Sequence, residues 1–544
     1  MTKQVSALFV FLFFWLTAFA LYFNTAGAGF VTDEIGWLQT YKATGWHGIF
    51  TAFGDKSLHF VYHLVGFSFW KIFGLNGFAW MVVFVTLHAG IALLSFLVFK
   101  ELLTKENISS GALIAFAGSL LFVVSPYQTE PLVWYACIHY LVCSFLLLLS
   151  FCFLLLYLRK QQQKFIAAFY LTYIVAVFTL EISFAFPVIL LLFFAFWPSK
   201  IFVGASRIRL IKILVLPSFG LLLFYFLLSK ILRGSIVGHY GAAQHLNFSI
   251  PLLMSNLSKY CAKIFLLTQF IPYEKRILLY QLFEKRKFVY ALFFAITATG
   301  ICFTFLHRKL KKEFRISILL FAFFVIALLP ILNLFFSSIV NIEGDRFTYF
   351  ASVFAYHFFV LASIALFRKC GWALIIVFLF FNVKFLQFNT ESWSHSKFIQ
   401  QSLLKNFRWQ QAEKIYLLNV PDNFRGAYMF RSFAPDNSFA ETLALRTGEN
   451  VEDKTTEILE YNMTTVADSV SVEKISDTTL KITFAQWGNW WWQNGKGTNN
   501  FSDNQYETTT DGWSHSYTIQ FHQKISNAVY LYQCGGEWRE VKDF

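Results

Sequence analysis

Charge is scarce in this chain. Asp, Glu, Lys and Arg make up 14% of its 544 residues, hydrophobic residues 57%, and the mean hydropathy is +0.53. A soluble domain carries roughly 25% charged residues, so a large soluble protein is excluded and a polytopic membrane protein is indicated. Cysteine carries no signal either. The seven are scattered, with neither metal-ligand spacing nor a disulfide framework, and read as inert thiols in membrane helices. No internal repeat is visible. Thr25-Ala26-Gly27 makes a poor cleavage site after the apolar stretch Val5–Phe23, so that stretch reads as an uncleaved first helix. The basic residues do not gather on a soluble face, so nucleic acid is not expected as a partner.

The charge that is present is unevenly placed. From His395 onward there are 14 basic and 18 acidic residues, and the rest of the chain has 31 and 13. The positive excess sits in short loops at Lys100/Lys105, Arg159/Lys160/Lys164, Lys200 to Lys212, His307 to Arg315 and Arg368/Lys369. Such loops mark cytoplasmic turns. Between them lie apolar runs near 76–99, 109–125, 132–158, 164–181, 182–198, 210–230, 288–306, 316–337, 347–367 and 371–388. A spanning helix needs about 20 apolar residues, so with the first helix about eleven spans are expected. The odd number puts the N-terminus inside and the tail outside. The 70 phenylalanines suit lipid-facing helices.

Three stretches fit as interfacial or re-entrant helices on the outer side. His59–Phe73 is short for a span. Pro251–Ile271, counted as a span, turns the basic 307–315 loop outward. In 35–53, Ile35, Leu38, Trp46, Ile49, Phe50 and Phe53 recur at roughly helical spacing. The expected architecture is a membrane domain over residues 1–390 and an extracytoplasmic domain over 391–544. That tail opens with a helical stretch around Lys397–Leu418. It continues with alternating segments Thr479–Phe484, Ser516–Phe521 and Ala528–Tyr532, and with turns at Asn494-Gly495 and Asp511-Gly512, the pattern of a small β-rich domain. Trp487 and Trp490 to Trp492 either fill its core and an aromatic belt or bind carbohydrate.

Four separate stretches then place charge at the outer face: Asp33/Glu34, Glu130, Glu181 and Glu343/Asp345/Arg346. Thr32 or Asp33 caps a helix at 35–53, whose dipole favours acids there, or Asp33 and Glu34 serve as a general base with its tuning partner, or both hold. His59 and His63 share a helical face; two ligands do not make a metal site, so they snorkel to water or, at His59, hydrogen-bond a substrate. Glu130 lies in a turn between Pro126 and Pro131, beside Trp134 and Tyr135, a pairing that suits sugar rings. Glu181 interrupts an apolar stretch where an ionised group costs about 2.5–3.5 kcal/mol at mid-bilayer. Arg346 is either an internal ion-pair partner or a phosphate binder. No clustered metal ligands and no cofactor motif are visible.

Together these segments resemble the GT-C superfamily of membrane glycosyltransferases, and most closely its protein O-mannosyltransferase branch, including relatives with TPR repeats. The motifs are Asp33-Glu34 in the first outer loop and Pro126 to Glu130. Leu180-Glu181 ahead of Pro187 follows, and then Glu343-Gly344-Asp345-Arg346-Phe347-Thr348-Tyr349-Phe350-Ala351-Ser352. The chain departs from the pattern in four places. His59-Phe60-Val61-Tyr62 stands where the family has a His-Pro-Pro-Leu-like stretch. Leu180 replaces a lysine, an extra residue separates Glu343 from Arg346, and no TPR repeats follow. The resemblance implies transfer of a sugar, with inversion, from a polyprenyl- or dolichyl-phosphate donor to a hydroxyl of a protein or glycolipid acceptor. It implies Asp33 as base with Glu34 beside it. His59, Glu130, Glu181, Glu343, Arg346 and Tyr349 would line the substrate site, with Arg346 on the lipid phosphate. The expected setting is a bacterial plasma (inner) membrane. A transporter or flippase for a lipid-linked glycan is an alternative, although no paired halves are seen. A surface polysaccharide polymerase or ligase is another.

Overall fold

The computed structural model describes residues 6–47, 49, 58–202, 206–234, 236, 249–307, 309–332, 344–431, 438–485, 489, 491–492, 500–510, 515–523, 525, 527–542 and 544. Among the described residues each apolar run of the sequence forms helix. Helices α1 (Ala7–Tyr22), α2 (Asp33–Thr44), α3 (Phe60–Phe73), α4 (Gly77–Lys105), α5 (Gly111–Val123), α6 (Thr129–Val133), α7 (Ile138–Lys160), α8 (Gln163–Val177) and α9 (Phe186–Phe196) make the first half. Helices α10 (Leu216–Arg233), α11 (Ile250–Leu266), α12 (Tyr273–Glu284), α13 (Arg286–Leu306), α14 (Lys312–Leu332), α15 (Tyr349–Phe367) and α16 (Lys369–Lys405) complete the bundle.

Among the described residues eight helices are long and apolar enough to cross a membrane, or nine if the bent pair α5 and Pro126–Val133 is one span. The runs expected at 164–181 and 182–198 form shorter apolar helices, Gln163–Val177 and Glu181–Phe196. Helix α11 is not of spanning character, because Ser255, Asn256, Ser258, Lys259 and Lys263 are buried along it. The bundle core is a single cluster from Val10 to Trp393, filled by aromatic and branched side chains and joined by Ala427 and Tyr428 from the tail. Burial of apolar surface between helices, rather than between helix and water, gives such a bundle its fixed shape.

Two expectations change at the start of the tail. Helix α16 runs unbroken through residue 390 to Lys405. The stretch expected to be helical to Leu418 instead becomes strand β1 (Lys414–Leu417). Beyond it the β-rich domain contains β2 (Val420–Phe424), β3 (Ala427–Tyr428), α17 (Ser438–Thr447), β4 (Thr455–Glu457), β5 (Glu460–Met463), β6 (Val470–Ser476) and β7 (Thr479–Phe484). Then come β8 (Trp491–Trp492), β9 (Phe501–Ser502), β10 (Tyr506–Thr509), β11 (Ser516–Phe521), β12 (Ala528–Cys534) and β13 (Glu537–Glu540). They form three sheets, β13-β12-β1-β4, β6-β7-β11-β10-β9 and β3-β2-β5-β8. In β7, Leu480, Ile482 and Phe484 face the core and the residues between them do not, the period-two signature of a half-buried strand. Trp487, Trp490 and both turn dipeptides lie outside the described residues, as do the side chains of Trp491 and Trp492.

Candidate functional site

The site begins with the loop that leaves α1. It presses so closely on α6 that a Cβ on Gly29 would lie 1.9 Å from the Val133 carbonyl oxygen; only glycine fits there. The Tyr135 N–H donates to the Gly29 carbonyl at 3.3 Å, and Trp134 Nε1–H to the Val31 carbonyl at 3.2 Å. Thr32 then turns the chain with φ at 52°, an unfavourable conformation for a β-branched residue and one that clusters at functional sites. Helix α2 starts at Asp33 itself, and Thr32 makes no side-chain capping bond. Capping is therefore not what occupies these residues, although both acids sit in the first turn, where the helix dipole favours them.

Glu34 is 4% exposed and Asp33 half-buried. Among the described residues neither carboxylate has a hydrogen-bond or ion-pair partner. Burial pushes the Glu34 carboxyl up to about 8, and the neighbouring Asp33 adds to it. Burial also pushes Asp33 up to about 6, against the pull of the Arg346 and Arg431 guanidiniums. At neutral pH Asp33 is thus mostly a carboxylate and Glu34 mostly a carboxylic acid.

Glu130, on the short helix α6, is completely buried. It accepts the Arg346 backbone N–H at Oε2 (2.8 Å) and the Arg346 guanidinium at Oε1. This bond pattern offsets the cost of burying the carboxylate and fixes the arginine, whose guanidinium lies 5.0 Å from the Trp134 ring and 4.6 Å from the Phe347 ring. One residue earlier, Asp345 pairs with Lys263 of α11, and both are all but inaccessible. Lys263 also offers its carbonyl to the Tyr127 hydroxyl. The loop before α15 is therefore tied to two separate elements.

The β-rich domain reaches this group. Tyr428 of β3 donates its hydroxyl to Glu130 Oε1 at 3.3 Å and sets its ring edge-on to Trp134, 5.1 Å away. The Arg431 guanidinium lies 4.6 Å from the Tyr428 ring. Ser396 and Gln400 of α16 donate to the Tyr428 and Met429 carbonyls and hold the strand. At the edge of the contact Gln39 donates to the Glu441 carbonyl at 3.2 Å, and the Arg446 guanidinium stacks on Phe30.

A second polar group adjoins the first through α3. His59, the residue before α3, is 3% exposed, with Nε2 3.3 Å from Glu181 and 3.5 Å from the Tyr225 hydroxyl. His63 is buried too, and its Nδ1 is 3.1 Å from the Tyr41 hydroxyl. Neither histidine snorkels to water. Burial, with help from Arg233, pulls His59 down to about 3, so it meets Glu181 as a neutral ring. Tyr62, one turn into α3, feels the charges of Glu34 and Asp33.

Two residues expected at the site are engaged elsewhere. Tyr349 is fully buried in the bundle, its hydroxyl 2.7 Å from His88 Nδ1. Tyr135 donates to the Gly77 carbonyl and accepts from the Gly27 N–H, which makes it a brace for the first loop rather than a sugar platform. Glu343 lies outside the described residues. No group of three His, Cys, Asp or Glu among the described residues is arranged to hold a metal.

No family model, no curated protein and no solved structure matches this chain. The site therefore has to be read from its own chemistry. Tyr428 and Arg431 are the residues that the sequence did not point to. They sit far along the chain in a domain with many other charges, and only the return of Tyr428 to Glu130, with Arg431 on the tyrosine ring, distinguishes them.

Proposed function

We propose that this protein is a GT-C-like glycosyltransferase, with about eleven spans once the shorter apolar helices are counted. Its N-terminus lies inside and its β-rich domain outside a bacterial plasma membrane. The donor is a polyprenyl or dolichyl phosphate sugar. Asp33 takes the proton from an acceptor hydroxyl, whose oxygen forms the new bond to the anomeric carbon. The bond from that carbon to the phosphate oxygen breaks, and its electron pair leaves with the lipid phosphate. Arg346 stabilises the charge that collects there, the kind of electrostatic contribution that often dominates catalysis. Glu34 donates a hydrogen bond beside the base, and Glu130 and Trp134 hold Arg346 in place.

One observation carries this reading. Among the described residues the buried Glu34 and the half-buried Asp33 lack hydrogen-bond and ion-pair partners, while Arg346 is held by Glu130 and stacked on Trp134. Leaving such polar groups out of water and unpaired is costly, and a substrate that brings hydroxyls to the two acids and phosphate to the arginine repays that cost. The test is sugar transfer from polyprenyl-phosphate and polyprenyl-diphosphate donors by the reconstituted protein. Asp33→Asn is expected to lower turnover at least about 100-fold. Near-normal turnover removes Asp33 from the mechanism. Translocation of donor without bond cleavage points to a flippase, and use of the diphosphate alone to a polymerase or ligase.

A further inference from the structure

Each ring of the aromatic pair Trp134–Tyr428 carries a guanidinium, one from each domain. The ring separation and the two stacking distances place Arg346 and Arg431 at most about 15 Å apart. Arg431 is a built feature and not a loose surface charge. The fully buried Asp422 accepts its Nε–H at 2.7 Å and its Nη2–H at 2.8 Å, a fork that fixes the plane of the guanidinium. Asp422 is itself held by Asn423 Nδ2 at 2.6 Å and, through its carbonyl, by the Met429 N–H. Asp33 lies within the field of both arginines.

A displacement with inversion puts the attacking oxygen and the leaving group on opposite sides of the sugar carbon. With the departing phosphate at Arg346, the second guanidinium, that of Arg431, is left for the acceptor, and Asp33, on which both arginines act, meets its hydroxyl. We infer that Arg431 recognises the acceptor, and that the acceptor carries an anionic group, a phosphate or a carboxylate, near the hydroxyl that is glycosylated. The inference rests on the transfer reading above and names the acceptor class for the same site. It also gives the β-rich domain a share in specificity.

The test measures binding without a donor, so it does not depend on turnover. Full-length protein in lipid nanodiscs is titrated with labelled methyl glucoside, glucose 6-phosphate and glucuronate. The anionic probes are expected to bind about tenfold tighter than the neutral one at low salt, and the better of the two identifies the anion. Arg431→Gln should abolish the preference, whereas Arg346→Gln should leave it. Arg431→Lys keeps part of it and decides the matter if Arg431→Gln undocks the domain. Gln39→Ala weakens the same interface away from Arg431 and keeps all of it. Equal binding of neutral and anionic probes, no binding of any probe, or a preference that survives in Arg431→Gln or vanishes in Arg346→Gln overturns the inference. An Arg431-dependent preference in a protein that transfers no sugar from any lipid donor overturns the transfer reading and leaves the anion site standing.

Discussion

Asp33 and Glu34 are adjacent in sequence, yet burial acts on them unequally. Asp33 feels two guanidiniums that moderate the rise in its pKa, whereas Glu34 feels only another carboxylate. The proposed base must be unprotonated and its neighbour protonated. Activity should therefore rise with pH through about 6 and fall through about 8, and Glu34→Gln should remove only the alkaline fall. A pH–rate profile checks this. Stability follows the same protons. Both folded pKa values lie above the ordinary 3.8 and 4.5, so the folded state holds more protons and stability declines as pH rises from about 4 to about 8. Glu34→Gln should accordingly raise the melting temperature at about pH 9 and change it little at about pH 4, as read by thermal unfolding in detergent. The acids were legible in the sequence because charge is rare at a membrane exit. The absence of a capping bond was not legible, because it depends on Thr32 taking a turn that sequence does not announce.

Among the elements, the Lys263–Asp345 pair is the clearest case of a cost repaid locally. Lys263→Met leaves Asp345 buried without its partner and should destabilise by about 3–5 kcal/mol, whereas adding Asp345→Asn should recover much of the loss. A double-mutant cycle on unfolding measures the coupling. Because Asp345 precedes Arg346, the single variant should also weaken donor binding more than the double. The sequence identified α11 as an unusual apolar segment but not the reason, which is that its polar residues turn inward. It did identify β7 and β11 to the residue, since alternation over six positions in each strand has one solution. It overran the tail's first helix because Lys397–Lys405 and β1 are separated by a short loop without Gly or Pro.

On the scale of the whole molecule, the β-rich domain closes the site rather than trailing from it. Truncation after Asn406 removes Tyr428 and Arg431 together. It should abolish transfer even to a small acceptor while the membrane domain still inserts, as checked by an activity assay beside a membrane-extraction profile. Nothing in the separate motifs of the two domains forecast this, because the contact joins residues 298 positions apart.

Helix α16 acts as a ruler between the two. Asn389 is fastened to the Pro126 carbonyl in the membrane domain, and seven residues later Ser396 is fastened to β3. The height and rotation of the β-rich domain are therefore set by two turns of one continuous helix. Four residues inserted between them would lift that domain by about 6 Å and rotate it by about 40°. That shift would carry Tyr428 out of reach of Glu130 with every side chain of both domains unaltered, so the register of a single helix determines whether the two halves of the site meet.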